Sequence, residues 1–261
     1  MNFLCVIQFF FNINLSLMII LRAHKWDSPT LFSYERYSRC DKVVLGFDAG
    51  AGHFIPSSIP AVKIDDEWLN ESGLNVACPN IMWRCGDYNF YSVYQKFPNE
   101  KYYWLIEPDV HINWPDVSDF FKNIDAYDSD FLGLMYGPRG GDWFWHSKIS
   151  LFYDSTKIHG CSFGIVRLSN HVISKLFEKR KLLASEFLFN SINAKEWPND
   201  ESFVVNHLLM LGHKLSDINS FLPGVSFANT YWINKKKGWH EYSEVSSLPD
   251  FKIYHPVRGF D

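Results

Sequence analysis

Residues 102–110 read YYWLIEPDV, a run of five apolar or aromatic residues that stops at two carboxylates, Glu107 and Asp109. Such a run predicts a buried strand, and Pro108 predicts a turn directly after it. In open α/β folds, ligands bind in the crevice beyond the carboxyl ends of the strands. An acid-x-acid turn at that position can direct two carboxylates towards one hard cation. The spacing is equally compatible with a proline turn whose acidic side chains are only solvated.

Strand and helix patterns alternate on both sides of this segment. Short runs rich in Val, Leu and Ile predict strands at residues 17–22, 41–48, 59–64, 130–135 and 160–168. Apolar residues at helical spacing predict helices at 80–97, 169–183 and 200–212, the second opened by a Ser cap and the third by Asn199 or Asp200. This alternation indicates an α/β fold with a mixed, mostly parallel central sheet flanked by helices, in one domain over residues 17–258.

The overall composition excludes several classes of protein. A formal net charge of -4 provides no global positive field, so we expect no nucleic-acid partner. The hydrophobic share of 47% is enough for a packed core, which argues against disorder. The 5 cysteines lack zinc-ligand spacing and indicate reduced thiols in a cytoplasmic protein.

Residues 1–16 are mostly apolar and precede the first predicted strand. Gln8, Asn12 and Asn14 interrupt the apolar run, and no Lys or Arg precedes it, which argues against a membrane span. We interpret the segment as an apolar extension, upstream of a functional start near Met18, or as the start of the first strand. A membrane anchor is the alternative. The expected location is the cytoplasm, with peripheral association at the inner face of the membrane as a second option.

The segment YYWLIEPDV resembles the strand and DxD element of the GT-A-fold glycosyltransferase superfamily, with Glu107 in place of the first Asp. The other segments follow in the order that such enzymes show: WRCGDYNFYSVY (83–94), DFLGL (130–134), HGCSFGIVRLS (159–169), WPNDESFV (197–204) and IYHPV (253–257). The resemblance covers residues 17–258. It implies a Rossmann-like, bacterial-type transferase that moves a sugar from a nucleoside diphosphate sugar to a hydroxyl of a glycan or lipid-linked acceptor, in polysaccharide or glycoconjugate synthesis.

This resemblance implies a metal site and a catalytic base. Glu107, Asp109 and His255 would hold Mn²⁺ or Mg²⁺ against the two phosphates of the donor. Asp200 or Glu201, at the start of a helix, would take the proton of the acceptor hydroxyl, as in inverting members of the fold. Helix capping by Asp200 and a structural His255 are the alternatives.

The resemblance also implies a set of donor-binding residues. They are Arg22, His24, Asp48, Arg84 and Asp87 for the nucleotide, Glu107 and Asp109 through the metal, and Gly160 beside the donor sugar. Surface salt bridges are the alternative for the charged members. The Gly- and Trp-rich loop 137–146 is either a lid that excludes water or an ordinary surface loop.

Three other functions are compatible with the same residues. One is a catalytically inactive GT-A-like protein that binds nucleotide sugars, and another is a nucleotidyltransferase. A glycoside hydrolase would also use paired acids, but neighbouring acids in one short turn form a poor hydrolase pair.

Overall fold

Strands and helices alternate along the residues that the computed structural model describes, which are 17–190, 192–226, 229–231, 238–248 and 250–260. The interpretations of residues 1–16 lie outside this set. The strands are β1 (Leu17–Ala23), β2 (Lys42–Asp48), β3 (Ala61–Ile64), β4 (Tyr102–Ile106), β5 (His111–Ile112), β6 (Phe131–Pro138), β7 (His159–Ser169), β8 (Leu215–Asp217), β9 (His240–Glu241), β10 (Ile253–Tyr254) and β11 (Val257–Arg258).

The helices of the described residues lie mainly between these strands. They are α1 (Ser28–Tyr37), α2 (Asp66–Glu71), α3 (Ile81–Arg84), α4 (Asp87–Lys96), α5 (Val117–Asp125), α6 (His146–Ile149), α7 (Asn170–Phe189), α8 (Asp200–Met210) and α9 (Tyr242–Val245). Short 3₁₀ turns occupy Ala49–Ala51, Ser155–Lys157, Ala194–Glu196 and Ile218–Ser220. Within these ranges, none of the helices combines the length and the apolar character that crossing a bilayer requires.

A seven-stranded sheet in the order β3-β2-β1-β4-β7-β6-β8 forms the centre of the described residues. Strand β1 pairs in parallel with β2 and β4, and β2 pairs in parallel with β3. Strand β7 runs antiparallel to both β4 and β6, whereas β6 and β8 are parallel. The fold is therefore α/β with a mixed, mostly parallel sheet, which confirms the predicted class.

The sheet has a hydrophobic core on each of its two faces. Alternate residues of a strand point to opposite faces, so Ile20 and Leu105 pack with helices α4, α7 and α8. Their neighbours Ile19 and Trp104 pack with helices α1 and α5 on the other face. All four side chains are fully buried, which explains why these strands read as continuous apolar runs.

The helix predicted for residues 80–97 is wrong in one respect, because the chain breaks it between Arg84 and Asp87. The backbone N–H of Gly86 donates to Asp200 Oδ2 at 2.6 Å instead of continuing the hydrogen bonds of a helix. A Cβ at this glycine would lie 2.5 Å from Arg22 Nη1 and 2.7 Å from Asp200 Oδ2, so a larger side chain would displace these two charged groups. The break is a packing requirement between distant parts of the chain.

The C-terminal segment returns to the end of β4. Strand β10 pairs antiparallel with β5, and the N–H of Val257 donates to the carbonyl of Asp109 at 2.8 Å. The N–H of His255 donates to the carbonyl of Thr230 at 2.8 Å. These bonds hold the segment 253–258 against the acidic turn after β4.

Candidate metal and nucleotide site

Glu107, Asp109 and His255 meet at the carboxyl end of β4. The N–H of Glu107 donates to the carbonyl of Gly164 at 2.8 Å, which fixes the start of the turn. His255 Nε2 lies 3.5 Å from Glu107 Oε2 and 3.5 Å from Asp109 Oδ1. One ligand atom from each of the three side chains lies within 4.8 Å of the other two. The three residues singled out from the sequence thus form one cluster.

The charges in this cluster stabilise one another. Burial raises the pKa of Glu107, but the hydrogen bond to His255 and the Arg22 charge outweigh it and lower the pKa to about 2. Burial lowers the pKa of His255, but its hydrogen bonds to Asp109 and Glu107 outweigh it and raise the pKa to about 9. In the metal-free chain at neutral pH, Glu107 is therefore ionised and His255 is protonated.

The donor set fits a divalent cation. Two carboxylates and one imidazole are ligands that Mn²⁺ accepts, and the carboxylates also suit Mg²⁺. His255 must lose its proton to coordinate, so metal binding at this cluster is coupled to proton release. Arg258 Nη2, 3.7 Å from Asp109 Oδ2, is a mostly exposed cation that can withdraw without losing a buried contact.

A cavity of about 630 Å³ opens beside this cluster. Its wall contains the three cluster residues together with three of the five other predicted nucleotide ligands, Arg22, His24 and Asp48. The volume lies in the range typical of small-molecule sites. The structure therefore brings six of the sequence-derived candidates to one cavity.

Asn89 and Gly46 also line this cavity, and the sequence reasoning missed both. Asn89 Nδ2 donates to the carbonyl of Gly86 at 3.0 Å, whereas Asn89 Oδ1 is buried and accepts no hydrogen bond from any described residue. A Cβ at Gly46 would overlap the Asn89 side chain, so this glycine makes room for the carboxamide. A glycine inside a strand pattern such as KVVLGFD is a sequence signal for such close approach.

Arg84 and Asp87 are not brought to the cavity. Arg84 is 7% exposed, and its guanidinium donates to the carbonyls of Lys195 and Trp197. Asp87 Oδ2 accepts from Arg180 Nε at 2.7 Å, and both side chains are completely buried. These contacts join α3 and α4 to α7 and to the segment before α8, so both residues have structural partners in the core.

Glu201 lines a second cavity, of about 510 Å³, with Ser162 and the loop 138–144. Trp145 Nε1 donates to Glu201 Oε2 at 3.0 Å. Burial raises the pKa of Glu201, although hydrogen bonds from Trp145 and Asn199 oppose the rise. A carboxylate with a raised pKa is suited to accept a proton near neutral pH.

Asp200 and Gly160 are not among the residues that line these two cavities. Asp200 is 3% exposed, and its two oxygens accept from the backbone N–H groups of Gly86 and Glu201 at 2.6 and 2.7 Å. Burial raises its pKa well above the ordinary value. A Cβ at Gly160 would lie 2.6 Å from the Trp143 ring, so this glycine allows Trp143, which lines the second cavity, to pack on β7.

Tyr231 lies between the acidic cluster and the second cavity, and no motif marks it in the sequence. Its ring packs against His255 at a centroid distance of 4.9 Å, and the residue is fully buried. Its hydroxyl lies 2.5 Å from the position that a Cβ of Gly164 would take, so this glycine makes room for the phenol. Burial raises the pKa of Tyr231 well above its usual value, so the phenol stays protonated and can act as a donor.

Comparisons with known proteins give no family for the chain. No protein-family model matches it, and no curated protein matches it in sequence. One similar solved structure is the crystal structure of a glycosyltransferase involved in the glycosylation of the major capsid of PBCV-1, with 13% identity and a TM-score of 0.46. The alignment covers 94% of this chain and 92% of that chain. Similarity at this level assigns no family, and the chemistry of the site rests on its own residues.

Proposed function

We propose that this chain is a glycosyltransferase that moves a sugar from a nucleoside diphosphate sugar to a hydroxyl of a glycan or lipid-linked acceptor, in polysaccharide or glycoconjugate synthesis. The observation that carries the proposal is the meeting of Glu107, Asp109 and His255 in the wall of the 630 Å³ cavity. A cation site inside a cavity of nucleotide size is suited to a diphosphate ligand.

The first cavity offers groups that match the parts of a nucleotide. Asp48 in the cavity wall can accept hydrogen bonds from ribose hydroxyls. Arg258 is 56% exposed at the rim and can reach a diphosphate. Arg22 holds Glu107 through a 2.9 Å ion pair, so its role is to orient that carboxylate beside the donor.

Glu107, Asp109 and deprotonated His255 would hold the divalent cation, Mn²⁺ or Mg²⁺. Bound there, the cation supplies positive charge that stabilises the departing diphosphate. Arg22 keeps Glu107 ionised and available as a ligand.

The second cavity is suited to the acceptor. Glu201 would take the proton of the attacking hydroxyl, since it lines that cavity and its pKa is raised by burial. The aromatic residues Trp143 and Phe144 in the same wall offer flat faces to a sugar ring and exclude water. A general base that acts on the acceptor hydroxyl corresponds to an inverting reaction.

Calorimetric titration with nucleoside diphosphates, with and without Mn²⁺, tests the site. We expect Mn²⁺ to increase the affinity for one of them at least tenfold, and Asp109→Ala to abolish this increase. Asp119→Ala is the matched control, because Asp119 is an exposed acid on α5 that does not line the cavity. Equal affinities with and without Mn²⁺ in the unaltered chain would overturn the metal-assisted mechanism.

A thermal-shift screen of nucleotide sugars then identifies the donor, because a ligand that binds the native state raises the melting temperature. Incubation of the stabilising donor with Mn²⁺ and simple glycoside acceptors should release the nucleoside diphosphate. Binding without release by any acceptor or by water would support a nucleotide-sugar-binding protein instead.

A further inference from the structure

A second cluster of metal-ligating side chains lies at the opposite end of the sheet. Asp130 precedes β6, His171 is the second residue of α7, and His213 precedes β8. His171 Nε2 lies 2.9 Å from Asp130 Oδ1, and His213 Nδ1 lies 3.0 Å from Asp130 Oδ2. The cluster adjoins Ser169 at the end of β7, which pairs with Tyr102 at the start of β4. It is therefore separate from the acidic turn that follows β4.

We propose that Asp130, His171 and His213 form a second metal site, which prefers a borderline cation such as Zn²⁺. One ligand atom from each residue lies within 4.8 Å of the other two. Two imidazoles and one carboxylate form a donor set that zinc accepts with a fourth, open position. Neighbouring ligand atoms in a tetrahedral zinc site lie roughly 3.3 Å apart, as follows from zinc–ligand distances of about 2.0–2.1 Å. The observed 2.9 and 3.0 Å are close to that separation but reach different oxygens of Asp130, so the carboxylate would bind the cation through both oxygens or rotate to present one of them.

Ser169 supplies an outer hydrogen bond of the kind that orients metal-binding histidines. Its hydroxyl donates to Asp130 Oδ1 at 3.0 Å and lies 3.2 Å from His171 Nδ1. If His171 Nδ1–H donates to this hydroxyl, the lone pair of Nε2 faces the carboxylate, which is the tautomer that a metal needs. Ser169 occupies the N-cap position of α7 but makes no capping hydrogen bond with its side chain. Its hydroxyl therefore makes hydrogen bonds to the cluster and not to the helix backbone.

The carboxylate itself is held by the main chain. The N–H of Lys214 donates to Asp130 Oδ2 at 3.2 Å, next to His213. His213 has only 11% of its side chain exposed, so its ring is fixed by packing, whereas His171 is 59% exposed and can adjust. The site would join the start of α7 to the segment that leads into β8.

Lys175 is the group that opposes metal binding. Its exposed ammonium lies 3.3 Å from His213 Nε2 and can donate to it, which leaves the ring proton on Nδ1, facing Asp130. Coordination through Nδ1 requires that proton to move to Nε2, so the lysine must turn away into solvent. Removing Lys175 should therefore strengthen metal binding, an effect that a purely structural His–Asp pair would not show.

Zinc titration of the full chain against a chromophoric chelator tests this site. An Asp109→Asn background removes the metal cluster proposed for catalysis, so the two sites are measured apart. In that background we expect one equivalent of Zn²⁺ to bind, with affinity reduced at least tenfold by His171→Gln and increased by Lys175→Ala. His146→Gln is the control, because that histidine belongs to neither cluster. Co²⁺ in the same background should give the visible absorption of a tetrahedral site, lost in His171→Gln.

The exposed position of His171 means that His171→Gln should fold, which the melting temperature in the presence of a chelator will check. Zn²⁺ should raise the melting temperature of the Asp109→Asn chain. It should leave that of the chain with both Asp109→Asn and His171→Gln unchanged. Failure of the Asp109→Asn chain to bind Zn²⁺, or equal Zn²⁺ affinity with and without His171, would overturn the proposal. Neither result depends on whether the chain transfers sugars.

Discussion

The guanidinium of Arg22 lies between Glu107 and Asp200, with Nη1 at 2.9 Å from Glu107 Oε1 and 3.6 Å from Asp200 Oδ2. Its Nη2 donates to the carbonyls of Met82 and Trp83, at 2.6 Å each. One side chain at the end of β1 therefore joins the acidic turn after β4, the helix α3 and the start of α8. Burial raises the pKa of Asp200, and the Arg22 charge opposes that rise.

Replacing Arg22 by Met should lower the free energy of unfolding by about 3 kcal/mol, because it leaves the buried carboxylate of Asp200 without its neighbouring cation. Urea unfolding in the presence of a chelator measures this loss. Adding Asp200→Asn to the Arg22→Met chain should recover part of it, since the second change removes an uncompensated charge. Strictly additive losses in the double variant would show that the two side chains do not interact.

Glu201→Gln should reduce sugar transfer by roughly 10²- to 10⁴-fold while leaving nucleotide affinity unchanged. The reason is that Glu201 lines the second cavity and not the nucleotide cavity. The measurement is release of nucleoside diphosphate from the donor at saturating concentration, beside titration of the nucleotide. Glu178→Gln, an exposed acid on α7, is the control and should transfer normally. A parallel loss of nucleotide affinity would argue against a base role.

The pH profile of the same reaction gives an independent check of this role. A general base must be deprotonated, so the rate should rise with pH through the pKa of Glu201. Burial raises that pKa above its ordinary value of 4.5, so the rise should lie at higher pH than for an exposed glutamate. Trp145→Phe removes a hydrogen bond that lowers the pKa, and should move the rise to still higher pH.

The strands could be predicted from the sequence because their burial is continuous. Residues 17–21 and 102–106 are apolar or aromatic throughout, since each run is covered on both faces of the sheet. The break between α3 and α4 could not be predicted in the same way. It depends on Asp200, which binds Gly86 from 114 residues further along the chain. The helical spacing of the apolar residues over 80–97 gives no indication of that contact.

The candidate site could be predicted only where its residues lie close together in the sequence. Glu107 and Asp109 stand directly after a buried strand, so their position at a sheet edge follows from the pattern. Asn89 and Tyr231 could not be found this way, because their positions beside the site arise only from packing. Asp87 resembles a ligand in sequence because it is a charge near a helix start, yet its partner lies on α7, far along the chain.

Asp87→Asn should destabilise the chain by about 3–5 kcal/mol, because it leaves the fully buried Arg180 without its counter-charge. Equilibrium unfolding in urea measures the loss. Donor affinity of the folded fraction should stay unchanged, since Asp87 does not line the nucleotide cavity. Asp66→Asn, a charge in the first turn of the short helix α2, is the matched control and should have little effect. Weakened nucleotide binding with full stability would instead favour the ligand role expected from the sequence.

His255 should make the metal-free chain less stable as the pH rises. The pKa of His255 is about 9 in the folded chain, above its ordinary value of 6.5, so protonation stabilises the fold. This contribution is complete below pH 6.5 and is lost as the pH rises through about 9. The loss should reach a few kcal/mol, because one pKa unit corresponds to about 1.4 kcal/mol. Urea unfolding at several pH values in the presence of a chelator measures it.

His255→Gln should remove this slope, because glutamine does not titrate and holds no charge against Glu107 and Asp109. Mn²⁺ should also flatten the slope in the unaltered chain, since the cation replaces the proton as the positive charge and binds more tightly when His255 is neutral. An exposed histidine such as His171 carries no contact with this cluster, so His171→Gln should keep the full slope. If the slope persists in His255→Gln, another group causes it, and the charge arrangement described for the acidic turn is incorrect.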